Sequence, residues 1–286
     1  RLERILFSIM RTHRSNVYCR NGAIAASQPL AVAAGLETLR RGGTAIDAAI
    51  TVSAVLSVIE PGSSHLGGDA FVITHDAGSK RQSAFNGSGE APNGATSDQF
   101  KSKIDHHGYK SATVPGLVST WFEIHGAGGN LSMQEILQPA IEYANTGFPV
   151  TSGFVKRIAN HLKQVPETKL FESLNFPTNL RAGDLLIQTE LGRSLEAIAA
   201  DGRGAFYEGE IANSLIEGSN GWFDGQDLAR HRTRVIPPLK VSYRGFEIHG
   251  QPPPSQGMIL MEELLLAEGF AVSELSDAEQ IGRAHV

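Results

Sequence analysis

The segment from Ala45 to Ile59 constrains the fold most, because it is almost entirely apolar and Asp47 is its only charged residue. This composition predicts a helix that is buried around most of its circumference. The segment is shorter than the roughly 18 apolar residues that a membrane-spanning helix needs. We therefore interpret it as a core helix, ended by Pro61 and Gly62.

A predicted hairpin follows this helix. Residues 69–75 and Arg81–Asn86 have the composition of strands, and the polar residues 76–79 between them favour a turn. The connection from the helix ends in Gly67 and Gly68, where the backbone can approach a ligand or another segment closely because glycine has no Cβ atom. A buried helix that leads into a hairpin predicts an α/β fold, in which we expect the helix to pack on a face of the sheet.

The rest of the chain alternates between amphipathic segments and short strand patterns. We predict an opening strand within residues 21–27, with its core at 23–27, and a second hairpin over residues 239–250. A short charged helix is predicted within residues 97–108. Further predicted helices cover residues 29–41, 116–125, 132–145, 151–163, 188–200, 208–217, 224–230 and 258–268.

The composition argues against several classes of partner. The 286 residues are 41% hydrophobic and 19% charged, with a formal net charge of −5, which is ordinary for a globular domain. Lys and Arg are scattered along the chain, so we expect no nucleic-acid partner, and no apolar stretch predicts a membrane partner. Cys19 is the only cysteine, which excludes an intrachain disulfide framework. Since no signal-peptide pattern is visible, we predict a cytoplasmic location.

The two ends differ in character from the rest of the chain. The sequence starts with Arg1 rather than Met, and Met10 is a plausible start shortly before the globular region. Residues 281–286 (IGRAHV) correspond to one reading frame of a common sequencing adapter. We therefore expect one domain over residues 17–280, with non-native or disordered ends at 1–9 and 281–286.

The residues alone do not reveal a complete catalytic apparatus. The chain around Ser88 reads Asn-Gly-Ser-Gly-Glu, which departs from the Gly-x-Ser-x-Gly elbow of serine hydrolases. Neither a dinucleotide-binding glycine motif nor a Walker A loop is present. His106, His107 and Cys19 lack the companions that a metal or nucleophile site needs. We predict no cofactor and no metal, and on these grounds a packed α/β domain is the simplest interpretation.

Three ordered motifs nevertheless resemble the gamma-glutamyltranspeptidase family. Residues 60–71 (EPGSSHLGGDAF) resemble its Glu-Pro-x-Ser-x-Gly-(Ile/Leu)-Gly-Gly-x-x-Phe signature. Residues 27–49, from Ser-Gln-Pro-Leu-Ala to Gly-Gly-Thr-Ala-Ile-Asp-Ala-Ala, resemble its opening motif, and residues 252–257 (PPPSQG) resemble its Pro-Pro-Pro-Ser-Ser-Gly-Gly turn. The resemblance runs over about residues 17–270, and three motifs at family-like spacing make it specific.

The resemblance implies an N-terminal-nucleophile hydrolase built as a four-layer αββα sandwich. This chain would be an incomplete part of that sandwich, the large-subunit part. In such enzymes a precursor cuts itself, and the new N-terminal Thr of the small subunit attacks an amide while its own α-amine acts as the base. A gamma-glutamyl group then passes from glutathione or a related amide to water, an amino acid or a peptide. That Thr would lie beyond residue 286, so we expect no catalytic residue and no activity in this chain without its small-subunit partner.

The resemblance also implies one substrate contact within the chain. In the family, an Arg before an Ala-Pro pair holds the α-carboxylate of the gamma-glutamyl group, because a guanidinium binds a carboxylate through two parallel hydrogen bonds. Here either Glu90 or Ser88 stands at that place, before residues 91–92 (Ala-Pro). The Arg is therefore missing, and a carboxylate at Glu90 would repel that of the substrate, although Glu90 is equally consistent with a solvated loop charge.

Three other residues are weaker candidates for a polar contact with substrate. Asp69 follows the Gly67–Gly68 pair, and its alternative role is to cap exposed N–H groups of the glycine turn. Arg81 and Arg244 are possible replacement cations, but both lie at predicted hairpin turns or strand ends. The predicted substrate-binding set is thus Ser88, Glu90 and Asp69.

The missing Arg leaves other functions open. One is an acylase of the same fold that acts on another amide. A second, from a different class, is a non-catalytic binding module without the nucleophile half. The downstream gene sequence discriminates between them, because a Thr that opens a strand predicts an enzyme, whereas a stop codon after Gln280 predicts a binding module or a pseudogene.

Overall fold

The computed structural model describes residues 17–100, 103–104, 107–164 and 179–271. The expectations for residues 1–9 and 281–286 lie outside these ranges, as does the one for His106. No helix within the described ranges has the length and apolar character needed to cross a lipid bilayer.

The described elements alternate between helices and short antiparallel strands. The helices are α1 (Pro29–Arg40), α2 (Ala45–Ile59), α3 (Leu117–Gly128), α4 (Met133–Thr146), α5 (Ser152–Gln164), α6 (Thr189–Asp201), α7 (Arg203–Tyr207), α8 (Glu210–Gly218), α9 (Gly225–Arg230) and α10 (Gly257–Glu268). The strands are β1 (Phe71–Asp76), β2 (Arg81–Asn86), β3 (Phe148–Pro149), β4 (Leu185–Leu186), β5 (Arg234–Ile236), β6 (Leu239–Tyr243) and β7 (Phe246–Gly250). Of the short charged helix predicted within residues 97–108, the described residues show a single 3₁₀ turn, Ser97–Gln99, and a second 3₁₀ turn, Tyr109–Ser111, lies just beyond that range.

Helix α2 has the predicted bounds and is the centre of the core. A capping box starts it, since the Thr44 hydroxyl accepts the N–H of Asp47 and the Asp47 carboxylate accepts the N–H of Thr44 at 2.7 Å. Asp47 is fully buried and also accepts the N–H of Asn130 at 3.0 Å, which ties the start of α2 to the α3–α4 connection. The single charge of this apolar helix is therefore used as a cap and a loop anchor.

The expected partner of α2 was wrong in part. The helix is buried as predicted, but its main contacts are with helices α1, α3 and α4 rather than with a sheet face. Helix α3 contacts β2 directly, and Phe85 of β2 belongs to the same apolar core as Val55 and Ile50 of α2. An almost fully apolar helix buries more of its surface among several helices than one sheet face can cover, which explains the arrangement.

The main described sheet has the order β1–β2–β5 and is antiparallel. Its register places Phe71 opposite Asn86, and Asn86 opposite Arg234. The predicted hairpin of β6 and β7 is a separate two-stranded sheet, closed by Arg244 and Gly245 with φ angles of 50° and 81°. Positive φ at both turn positions matches the right-handed twist of a two-residue hairpin.

The predicted opening strand is wrong for the described residues. Residues 17–27 have no strand assignment and share no backbone–backbone hydrogen bond with other described residues. A strand exists only where a neighbour supplies its backbone partners, and composition cannot reveal whether one does.

Two of the three resemblance motifs meet at the end of α2. The Glu60 carboxylate accepts hydrogen bonds from the Ser27 hydroxyl at 2.5 Å and from the Gln28 amide at 3.3 Å. It also accepts one from Arg157 of α5 at 2.9 Å. Burial opposes ionisation of Glu60, but these three donors outweigh it and hold its pKa below the usual value. The Ser-Gln-Pro and Glu-Pro motifs are thus two halves of one partly buried polar contact.

Candidate functional site

A crossing of glycine backbones forms the centre of the candidate site. The carbonyl of Gly68 accepts the N–H groups of Gly116 at 2.9 Å and of Leu117 at 2.8 Å. A Cβ atom at Gly116 would lie 1.7 Å from the carbonyl oxygen of Gly87, and one at Gly89 would lie 1.8 Å from that of Val114. Only glycine permits these approaches at positions 116 and 89, whereas a Cβ atom at Gly68 would be nearest to the carbonyl oxygen of His65 in its own turn, at 3.1 Å.

Asp69 connects this crossing to the loop that carries the other two candidate residues, Ser88 and Glu90. Its carboxylate accepts the N–H of Gly89 at 3.1 Å. Burial raises the pKa of Asp69, while the N–H groups of Gly89 and Gly116 and the nearby His65 act in the opposite direction. Asp69 therefore caps backbone N–H groups of neighbouring segments, which is close to the alternative role stated for it above.

Ser88 is held by the residue two positions before it. The Asn86 side-chain oxygen accepts both the backbone N–H of Ser88 at 3.0 Å and its hydroxyl at 2.6 Å. Asn86 is 1% exposed, whereas Ser88 is half-buried at the surface of the loop. Sequence reasoning missed Asn86, although an Asn at a strand end, two residues before a Ser, is the pattern of an Asx turn.

Glu90 occupies the exposed end of the same loop. Its carbonyl accepts the N–H of Val114 at 3.0 Å, and its side chain is exposed. The negative field of Glu90 reaches His231, whose pKa it raises against stronger opposing effects. The structure thus places Asp69, Ser88 and Glu90 around one loop and leaves the Glu90 side chain facing solvent.

The third resemblance motif lies against this loop. The Asn86 amide nitrogen is 3.5 Å from the carbonyl oxygen of Pro253. Gln251, immediately before the three prolines, donates from its side-chain nitrogen to the carbonyls of Val72 at 2.5 Å and Phe85 at 3.3 Å. The Pro-Pro-Pro-Ser turn, the glycine crossing and the Ser88 loop therefore form one continuous region at the end of β2.

A buried stack of Arg203, Tyr207 and His231 packs against this region. The guanidinium of Arg203 lies 4.2 Å from the centre of the Tyr207 ring, and Tyr207 stacks on His231 with ring centres 5.8 Å apart. The Tyr207 hydroxyl donates to the Pro115 carbonyl at 2.8 Å and accepts the N–H of Ser119 at 3.1 Å. Arg203 and Tyr207 are four residues apart in α7, which is the spacing of neighbouring side chains on a helix. Nothing in the sequence signals that His231, which follows α9, joins them.

His231 is held in its neutral form. Burial first, and then the charge of Arg203, lower its pKa to about 4. Its Nε2 atom is buried without a hydrogen-bond partner among the described residues and would be 3.1 Å from a Cβ atom at Gly116. The ring therefore packs directly beneath the glycine crossing.

The two cations that the sequence singled out do not face the loop. Arg81 lies opposite Asp76 in the strand register, at the other end of β2 from Asn86. Since five residues of strand span about 17 Å, Arg81 is far from the loop. Arg244 donates to the Phe270 carbonyl at the far hairpin. Arg234 is an exposed cation that lies directly opposite Asn86 in the sheet, so that the two side chains share one sheet face.

No group of three or more His, Cys, Asp or Glu side chains within the described ranges is arranged to hold a metal ion. Cys19 is an exposed free thiol.

The family model for gamma-glutamyltranspeptidase matches residues 31–286. The glutathione hydrolase-like YwrD proenzyme of Bacillus subtilis (strain 168) is 34% identical over 255 residues, which are 86% of this chain and 48% of that protein. The chain spans about half the length of the curated relatives it matches.

Solved structures give the same result for the fold. The gamma-glutamyltranspeptidase of Helicobacter pylori superposes with a TM-score of 0.86 at 26% identity, over 92% of this chain and 79% of that one. The cephalosporin acylase of Bacillus halodurans superposes with a TM-score of 0.79 at 32% identity, over 91% of this chain and 53% of that one. The mixed α/β fold is that of these hydrolases, and the chain belongs to the gamma-glutamyltranspeptidase family.

Proposed function

We propose that this chain is the large-subunit part of an enzyme that transfers a gamma-glutamyl group from glutathione or a related amide to water, an amino acid or a peptide. The observation that carries the proposal is the family match over residues 31–286, together with the meeting of the glycine-rich motif at residues 60–71 and the proline motif at residues 252–257 at the Ser88 loop. In this proposal the nucleophile is a Thr in the part of the protein that follows the matched half. We also propose a cytoplasmic location, which fractionation of cells that express the tagged protein tests.

The surface of the chain supports a covering partner. Helix α10 exposes Met258, Leu260 and Leu266 at 41%, 53% and 72%, and Phe246 of the adjacent hairpin is 71% exposed. An apolar surface of this extent is typical of a protein interface. The name proenzyme, carried by relatives of about twice this length, indicates a protein that is processed into parts. We propose that the C-terminal small subunit produced by self-cleavage covers this face.

Because the Arg is missing from the Ser88 loop, another residue must bind the α-carboxylate of a gamma-glutamyl substrate. In our proposal Arg234 replaces it, because Arg234 lies opposite Asn86 at the same end of the sheet and its side chain is exposed. A guanidinium there can receive the α-carboxylate by two parallel hydrogen bonds.

Glu90 favours a second candidate function. An exposed carboxylate beside Ser88 disfavours a substrate that carries its own carboxylate at that point. An acylase acting on another amide avoids this conflict, and one of the structural relatives is a cephalosporin acylase of 32% identity. A non-catalytic binding module is the third possibility and predicts no self-cleavage.

One experiment separates these functions. The gene with its natural downstream sequence is expressed, and mass spectrometry is used to detect cleavage into two chains. The product is assayed with gamma-glutamyl-p-nitroanilide and with a cephalosporin or other acyl amide that lacks the α-carboxylate. Cleavage followed by gamma-glutamyl turnover is the expected result, turnover of the second substrate alone favours the acylase, and an uncleaved inactive protein contradicts both. Residues 1–286 alone are expected to be inactive.

A further inference from the structure

The link between the Pro252–Ser255 turn and the Ser88 loop consists of two buried amide side chains. Gln251 is 7% exposed and Asn86 is 1% exposed. Each joins segments that are far apart in the chain, since Gln251 reaches the carbonyls of Val72 and Phe85 across β1 and β2. Asn86, the last residue of β2, reaches the carbonyl oxygen of Pro253 in the proline turn.

The Gln251 contact fixes the orientation of its amide. Only the nitrogen end can donate, and it faces two carbonyl oxygens, so the oxygen end points away from the sheet. That oxygen is buried without a partner among the described residues. A side chain held in this way cannot rotate without losing two hydrogen bonds in a buried setting, so the backbone at residue 251 is fixed relative to the sheet.

The oxygen and the nitrogen of the Asn86 side-chain amide contact two different segments. Its oxygen accepts the N–H and the hydroxyl of Ser88, while its nitrogen faces the Pro253 carbonyl. A displacement of the proline turn therefore acts on the same side chain that sets the position of Ser88. Close packing around a nearly inaccessible residue transmits such a shift instead of absorbing it.

We propose that Gln251 and Asn86 are positioning residues that hold the proline turn and the Ser88 loop as one rigid unit, and that substrate affinity depends on this unit. The proposal rests on the function proposed above only for its last clause. Neither residue touches substrate in this proposal, since both act through the loop whose position they set.

Hydrogen exchange tests the rigid unit without any substrate. The complete gene product is compared with its Q251E variant, which keeps the shape of the side chain but places a carboxylate against two carbonyl oxygens. We expect exchange to accelerate at least about fivefold in peptides covering both 84–91 and 250–257. Acceleration confined to 250–257 overturns the proposal. Circular dichroism verifies folding, and N86S, a milder change, provides the same comparison if Q251E does not fold.

Kinetics test the dependence of affinity on the unit. For whichever amide the wild-type enzyme hydrolyses, Q251E and N86D are expected to raise KM about tenfold and to change kcat less than about threefold. N86D keeps the acceptor for Ser88 and loses only the donor to Pro253. The matched control is Q82E on β2, where Gln82 bonds the exposed His75, and KM should not change. Unaltered KM in Q251E and N86D overturns the affinity clause, while the exchange result still decides the rigid unit even if no amide is hydrolysed.

Discussion

The ring of His231 stacks on that of Tyr207 at an angle of 24° between their planes, with its Nε2 atom directed at the glycine crossing. Both rings are buried, at 6% and 1% exposure. This pair links the stability of the site to pH in the acid range, because His231 titrates there.

Folding stability should fall as the pH drops from 6.5 to 4. The His231 pKa lies at about 4 in the folded chain against 6.5 as its ordinary value. Between these values the unfolded chain binds more protons, so acid favours unfolding by up to about 3 kcal/mol. Urea unfolding over this pH range measures the effect.

The variant H231Q isolates the contribution of this histidine, because the glutamine side chain does not titrate. Its free energy of unfolding should depend less steeply on pH over the same range than that of the wild type, whereas H75Q, at an exposed position on β1, should keep the wild-type slope. Equal slopes for wild type and H231Q would show that the buried ring does not carry the effect.

Substitution G89A should destabilise the protein strongly. The new Cβ atom would lie 1.8 Å from the Val114 carbonyl oxygen, which is backbone and cannot move away without breaking the crossing. We expect a loss on the order of 3 kcal/mol in thermal or urea unfolding. The control G225A has no atom within 4 Å of the added carbon and should be close to neutral. A stable G89A protein with unchanged midpoint would contradict the close approach.

Substitution E60Q should weaken the contact between α2 and α5. The amide retains the shape of the carboxylate but loses the charge that attracts Arg157, whose side chain is 47% exposed. Since solvent partly screens that arginine, we expect a loss of about 1 to 2 kcal/mol. E190Q removes the charge of a pair with side chains 80% and 68% exposed and should change stability by less than about 0.5 kcal/mol. Equal losses in the two variants would argue against a special role for the partly buried contact of Glu60.

Substitution R234A should raise KM for gamma-glutamyl-p-nitroanilide about tenfold in the processed enzyme, with a smaller change in kcat. The reason is the loss of the cation opposite Asn86. R234K should restore part of the affinity, because it keeps the charge but not the planar pair of donors. R193A, at an exposed position on α6, serves as the control. An R234A enzyme with wild-type KM would remove Arg234 from the substrate site.

The sequence by itself determined the local elements well. The apolar run with Asp47 near its start gave the bounds of α2, and the helix predicted over residues 132–145 is α4, which a capping box of Ser132 and Glu135 starts. Capping and periodicity act within a few residues. Both hairpins were predicted for the same reason. The motifs likewise identified the loop that carries Ser88 and Glu90.

Only the tertiary structure decided what those elements meet. It packed α2 among helices, left residues 21–27 without a strand partner, and placed His231 under Gly116, 115 residues away in the chain. It also showed that Asn86 and Gln251 connect the motifs. Such contacts depend on which distant segments approach each other, and hydrogen bonding and burial at long range leave no periodic trace in the local sequence.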